Sequence, residues 1–161
     1  MIEITKPLVE KMTFEKMLEK DGVFAYTNVG FSMMPLLRQY KDIIEIRKKG
    51  SERCKKYDVV LYKRGSKYVL HRIIKVLPDG YLIAGDACYI IEKDIKDDNI
   101  LGVMTKVVRN GKNITPDNIW YKIYVHLWCD LYPIRFMVLR IKKFIRRSIG
   151  FVKRRLFRCK Q

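Results

Sequence analysis

The chain reads as a mainly β protein: an antiparallel β domain, preceded by a short helix and followed by an amphipathic helical arm. Three observations predict this. Between Val23 and Ile114, short β-branched and aromatic runs alternate with turn residues. On either side, from Lys6 to Lys20 and beyond Pro116, apolar residues recur at helical intervals. Hydrophobic residues make up 48% of 161 positions, enough to build a core, which excludes disorder throughout despite a formal net charge of +17.

The first helix places Leu8, Met12, Phe14 or Met17, and Leu18 on one side, and Asp21-Gly22 stops it. Strands are expected at Val23–Asn28, Ile43–Ile46, Val59–Lys63, Lys67–Leu77, Tyr81–Ala84 and Leu101–Arg109. Gly65-Ser66, Asp79-Gly80 and Asn110-Gly111 each supply a residue tolerant of positive φ, as tight hairpin turns require. After Pro116 the helical spacing covers Ile119–Leu131, breaks at Pro133 and resumes over Ile134–Phe157. The expected divisions are therefore 1–22, 23–116 and 117–161.

The charge is unevenly placed. From Ile119 to Gln161 there are 12 Lys+Arg and one acid, Asp130, a net of +11; the rest of the chain carries +6. A basic appendage on a mildly basic body points to an anionic partner. Cys54, Cys88, Cys129 and Cys159 form no C-x-x-C pair and have no His at ligand spacing, so separate reduced thiols are expected, with no metal and no cofactor. The N-terminal stretch has no apolar run long enough for a signal peptide, and Lys122, His126, Asp130, Pro133 and Arg135 interrupt the most apolar segment, so neither export nor a membrane span is expected.

Three segments carry the candidate chemistry. In Gly30-Phe31-Ser32-Met33-Met34-Pro35 a strand gives way to a proline-fixed bend. A serine held there presents its hydroxyl rigidly and offers its own backbone N–H to a developing oxyanion; ordinary turn chemistry is the bland alternative. In Tyr68–Ile74, alternation puts Val69, His71 and Ile73 on one face and Leu70, Arg72 and Ile74 on the other. A neutral imidazole on an apolar face suits a general base, although a satisfied core histidine has the same pattern. In Tyr81–Tyr89 a strand ends in Gly85-Asp86, where the carboxylate either orients an imidazole or makes an Asx turn.

In this order and spacing the segments resemble the signal peptidase I family of serine peptidases and its relatives in the LexA-type clan. The resemblance spans roughly Thr27 to Lys112. Ser32-Met33-Met34-Pro35 matches the Ser-Met-x-Pro nucleophile motif, Asp58-Val59-Val60 the Gly-Asp-x-Val strand, His71-Arg72-Ile73 the base strand, Gly85-Asp86 the Gly-Asp-Asn segment and Ile100–Val103 the closing strand. His71 stands where typical bacterial members have Lys, so the chain looks like the family's His branch.

The resemblance implies a signal-peptidase/LexA-like fold and a serine endopeptidase. Ser32 would be the nucleophile and His71 the base, Asp86 or Glu92 would orient His71, and Gly30, Met33, Met34 and Pro35 would lie on the oxyanion and substrate side. It departs from the family at Gly30, where a Ser hydroxyl usually assists the oxyanion, at Tyr57, where Gly is usual, and at Ala87, where Asn is usual. A missing oxyanion donor costs about 2.7–4 kcal/mol unless replaced. The partners expected are a peptide or protein substrate and an anionic membrane surface, with the enzyme on the cytosolic side. Trp120, Tyr121, Tyr124, Trp128 and Tyr132, followed by ten Lys+Arg and no acid from Arg140 to Gln161, suit a helix lying among lipid headgroups. Nucleic acid competes for the same charge, and packing of the arm's first half on the β domain is the third reading. The alternative to an enzyme is a catalytically weak β module that binds an extended peptide, or nucleic acid through its arm.

Overall fold

The computed structural model describes residues 13–131 together with 137, 138, 140 and 141. The expected helix start at Lys6 and most of the second helical stretch of the arm lie outside the described residues. Thr13 caps α1 (Phe14–Asp21) by accepting from the Lys16 N–H at 3.3 Å, and Gly22, left-handed at φ 70°, ends it.

Eight strands then build one open antiparallel sheet: β1 (Val23–Thr27), β2 (Ile43–Lys48), β3 (Val59–Arg64), β4 (Lys67–Leu77), β5 (Gly80–Ala84), β6 (Glu92–Ile95), β7 (Ile100–Arg109) and β8 (Lys112–Ile114). The order across the sheet is β1-β2-β7-β3-β4-β5-β6, with β8 pairing β7. The six expected strands are present with ends shifted by at most two residues, whereas β6 and β8 were not anticipated.

The turns explain the tight hairpins. Gly65-Ser66 joins the paired ends Arg64 and Lys67, and Asn110 and Gly111 take φ 50° and 76° between the paired Arg109 and Lys112. The expected Asp79-Gly80 turn moves back by one residue. Gly80 pairs with Leu77 as the first residue of β5, leaving Pro78-Asp79 at the bend. Glycine is required at 80 because a Cβ there would stand 2.6 Å from the Ile95 carbonyl oxygen.

Alternation along β4 gives the sheet two apolar sides. Leu70 and Ile74 pack in the larger cluster, with Leu18, Met33, Leu37, Ile46 and Met104; Val69 and Ile73 pack in the smaller one, with Tyr62, Tyr81 and Ile83. Against the larger cluster lies α2 (Ile119–Asp130), capped by Asn118, whose side chain accepts from the Trp120 and Tyr121 N–H groups. Its inner residues Tyr121, Val125 and Cys129 are buried there, so the arm's first half packs on the sheet through one face.

Tyr57, just before β3, takes φ 80°, a conformation that favours glycine. Its side chain offsets that cost by reaching α2: the hydroxyl donates to Asp130 at 2.6 Å, and the ring lies against His126 and the Lys56 ammonium. Alanine would keep the backbone strain and lose the contacts. Tyr57→Gly is therefore expected to be about 1 kcal/mol more stable than Tyr57→Ala in urea unfolding; equal stability would contradict this account.

Candidate functional site

The segment bearing Ser32 runs from β1 to β2 and is clamped at its far end. Asp42, fully buried, accepts from Arg38 Nη2 at 2.8 Å and from Arg109 Nη2 at 2.6 Å. Burial pushes its carboxyl up, but the hydrogen bonds from Arg109 and Arg38 outweigh burial and hold it at about 2. The Tyr40 N–H donates to the Asn28 carbonyl, and the Asn28 N–H to the Asp42 carbonyl, closing the segment's base.

Within the segment, Ser32 is half-buried, and Met34 N–H donates to the Phe31 carbonyl at 3.1 Å. The Met33 side chain belongs to the core, Pro35 is exposed after a cis peptide bond, and Gly30 has φ 141°. A serine at position 30 would sit in a backbone conformation that L residues rarely adopt, so the departure at Gly30 has a local conformational reason.

Ser32 and His71 line one cavity of about 640 Å³, with Asn28, Cys88 and Glu92. Gly30, Met33, Met34 and Pro35, expected on the substrate side, are not among its lining residues. The turn after β5 joins the two halves: Ala87 N–H donates to the Ser32 carbonyl at 2.7 Å, and Cys88 N–H to the Gly85 carbonyl at 3.0 Å. A Cβ on residue 85 would stand 2.6 Å from the Ser32 carbonyl oxygen and 2.9 Å from His71 Nε2, so both groups lie against the same point.

The Gly85→Ala substitution must displace at least one of them. With Ser32 as nucleophile and His71 as base, the rate of acylation at Ser32 is expected to fall on the order of a hundredfold, as a displacement of about 1 Å at a reacting centre does. Labelling with a serine-directed acylating probe checks this; an unchanged rate would show that close packing at 85 is unrelated to the chemistry.

The two carboxylates have separate tasks. His71 is buried, and its Nδ1 lies 3.0 Å from Glu92 Oε1 and 3.1 Å from the Tyr62 hydroxyl. A proton on Nδ1, facing the Glu92 carboxylate, leaves Nε2 unprotonated; Nε2 lies beside Gly85, near the Ser32 carbonyl oxygen. Burial holds the imidazole below its ordinary 6.5, against the opposing pull of the Glu92 carboxylate. Arg64 Nη1 also donates to Glu92 Oε1, at 3.0 Å.

Asp86 is engaged elsewhere. Its two oxygens accept from Arg72 Nε at 2.9 Å and Nη2 at 2.8 Å, and the Tyr124 hydroxyl donates to Oδ2 at 2.9 Å. Trp128 Nε1–H donates to the Asp86 carbonyl at 2.8 Å. The carboxylate at His71 is thus that of Glu92, while Asp86 joins β4 to α2.

Sequence reasoning missed Tyr62 and Arg72 as members of these networks. Tyr62 shares the face of β3 that meets His71, which alternation from Val60 would have revealed once β3 and β4 were paired. Among the described residues no group of three or more His, Cys, Asp or Glu is placed to hold a metal. Compared with known proteins, the chain matches no family model and no curated relative.

Proposed function

We propose that the protein is a serine endopeptidase resembling signal peptidase I, on a sheet of the signal-peptidase/LexA-like kind. Ser32 Oγ attacks the carbonyl carbon of a peptide bond, and its proton passes to His71 Nε2. The tetrahedral intermediate collapses, the same proton leaves with the amine, and the acyl group remains as an ester on Ser32. Water activated by His71 then hydrolyses the ester. Glu92 holds the imidazole tautomer, with Tyr62 beside it. The observation that supports this best is the contact of Glu92 with His71 Nδ1, which leaves Nε2 free to accept a proton in a cavity that Ser32 also lines.

The test is covalent labelling by an acylating serine-directed probe, located by mass spectrometry. Ser32→Ala is expected to abolish labelling while leaving the circular dichroism spectrum unchanged. Equal labelling of wild type and variant would remove the proposal.

A second reading is favoured by β1. It is an edge strand, and its Phe24 and Tyr26 line the cavity. An extended peptide pairing with that edge would be bound without being cut. Under this reading Ser32→Ala leaves peptide affinity intact and no labelling occurs in either protein.

A further inference from the structure

The helix α2 is apolar on two opposite sides. Tyr121, Val125 and Cys129 face the sheet and are buried. At 100° per residue, Ile119, Trp120, Ile123, Leu127 and Leu131 fall on the reverse side, and all five are exposed, Trp120 to 75% and Leu127 to 58%. Lys122 and His126 lie along one edge of the stripe, and Asp130, in the last turn, falls within it and accepts from the Tyr57 hydroxyl. A helix apolar on both sides needs a second apolar environment beyond the core it already covers.

We infer that the outer stripe of α2 docks on an anionic lipid surface, lying parallel to it in the headgroup layer. Three features select lipid over other occupants. The stripe is aliphatic with one tryptophan, the composition that partitions into the interface between headgroups and acyl chains. The sequence continues into residues 140–161, with ten Lys+Arg and no acid, a charge that an anionic surface attracts. A second copy of the chain would bring another +17 to the same place, which disfavours self-association. Neither core packing nor phosphate contact requires the outer stripe: the inner face already fills the core, and phosphates are met by the basic residues. No described helix is long and apolar enough to cross a membrane, in keeping with a helix that lies on one.

Co-sedimentation of the full chain with phosphatidylcholine vesicles, with and without phosphatidylglycerol, tests this against an Ile123→Ser/Leu127→Ser double variant. Both substituted side chains are exposed, so the fold should survive, and thermal unfolding checks that it does. Wild type is expected to bind the anionic vesicles, and the double variant about tenfold or more weaker, with all charges intact. In a Trp128→Phe background, brominated lipid should quench Trp120. Equal binding of wild type and double variant would overturn the inference, leaving charge alone as the cause of attraction. Concentration-dependent self-association that the double variant abolishes, with vesicle binding unchanged, would assign the stripe to a second copy. None of these readouts depends on peptidase activity, so failure here and failure of the labelling test are separable.

Discussion

Replacing Asp86 by alanine is expected to destabilise the fold by about 3–5 kcal/mol, the usual cost of stranding one member of a buried ion pair. Arg72 and Asp86 are both fully buried, and the pair is bidentate. Arg72 also donates to the Tyr57 carbonyl at 2.9 Å and the Tyr121 hydroxyl at 3.1 Å, so it cannot swing out to water when its carboxylate is lost. Burial works against its charge, but Asp86 and Tyr121 hold the guanidinium firmly protonated. The variant would therefore keep a buried cation with only neutral acceptors. Urea unfolding measures the effect. A loss below about 1 kcal/mol would mean that the pair contributes little, and would return Asp86 to consideration as a functional acid.

Under the proposed mechanism, His71→Ala should lower the acylation rate of Ser32 about a thousandfold, within the range a general base supplies. The pH dependence carries the finer test. Only neutral His71 accepts a proton, and burial depresses its value below 6.5. The acid limb of the rate profile is thus expected below 6.5. Stability follows the same sign: the unfolded chain takes up the proton first as pH falls. Stability from this site is therefore complete above about 6.5 and declines as pH drops toward the folded value. Glu92→Gln removes the charge that opposes burial, so the acid limb should move to lower pH while the rate plateau falls with the weaker hold on the tautomer. A limb moving upward would contradict the assignment of Glu92.

Much of the sheet was legible because its central strands are runs of Val, Ile, Leu and Tyr ended by turn residues, a pattern with one physical reading. β6 was not, since Glu92-Lys93-Asp94-Ile95 lacks the composition of a strand and owes its conformation to pairing of Tyr81 with Ile95 and Ile83 with Glu92. The three-residue β8 likewise exists because the Asn110-Gly111 turn returns it to β7. At the site, Ser32 and His71 stood out through motif and spacing. The division of labour between Asp86 and Glu92 did not, because His71 and Arg72 are neighbours in sequence that face opposite sides of the sheet. Which carboxylate meets which depends on how the chain bends after β5, and no local pattern encodes that.

The same adjacency has a consequence for chain length. His71 meets Gly85 while Arg72 meets Asp86, two consecutive partnerships in step along β4 and the turn after β5. Inserting or deleting one residue between Ile83 and Asp86 would turn that stretch over relative to β4: the Asp86 carboxylate would leave Arg72, whose guanidinium would lose its partner. Most surface connections in a protein tolerate changes of length cheaply. The β4–β5 ladder already absorbs one extra residue at Ile74, but the stretch from Ile83 to Asp86 is expected to tolerate only substitutions, because its residue count is what keeps the buried carboxylate against Arg72 and away from His71.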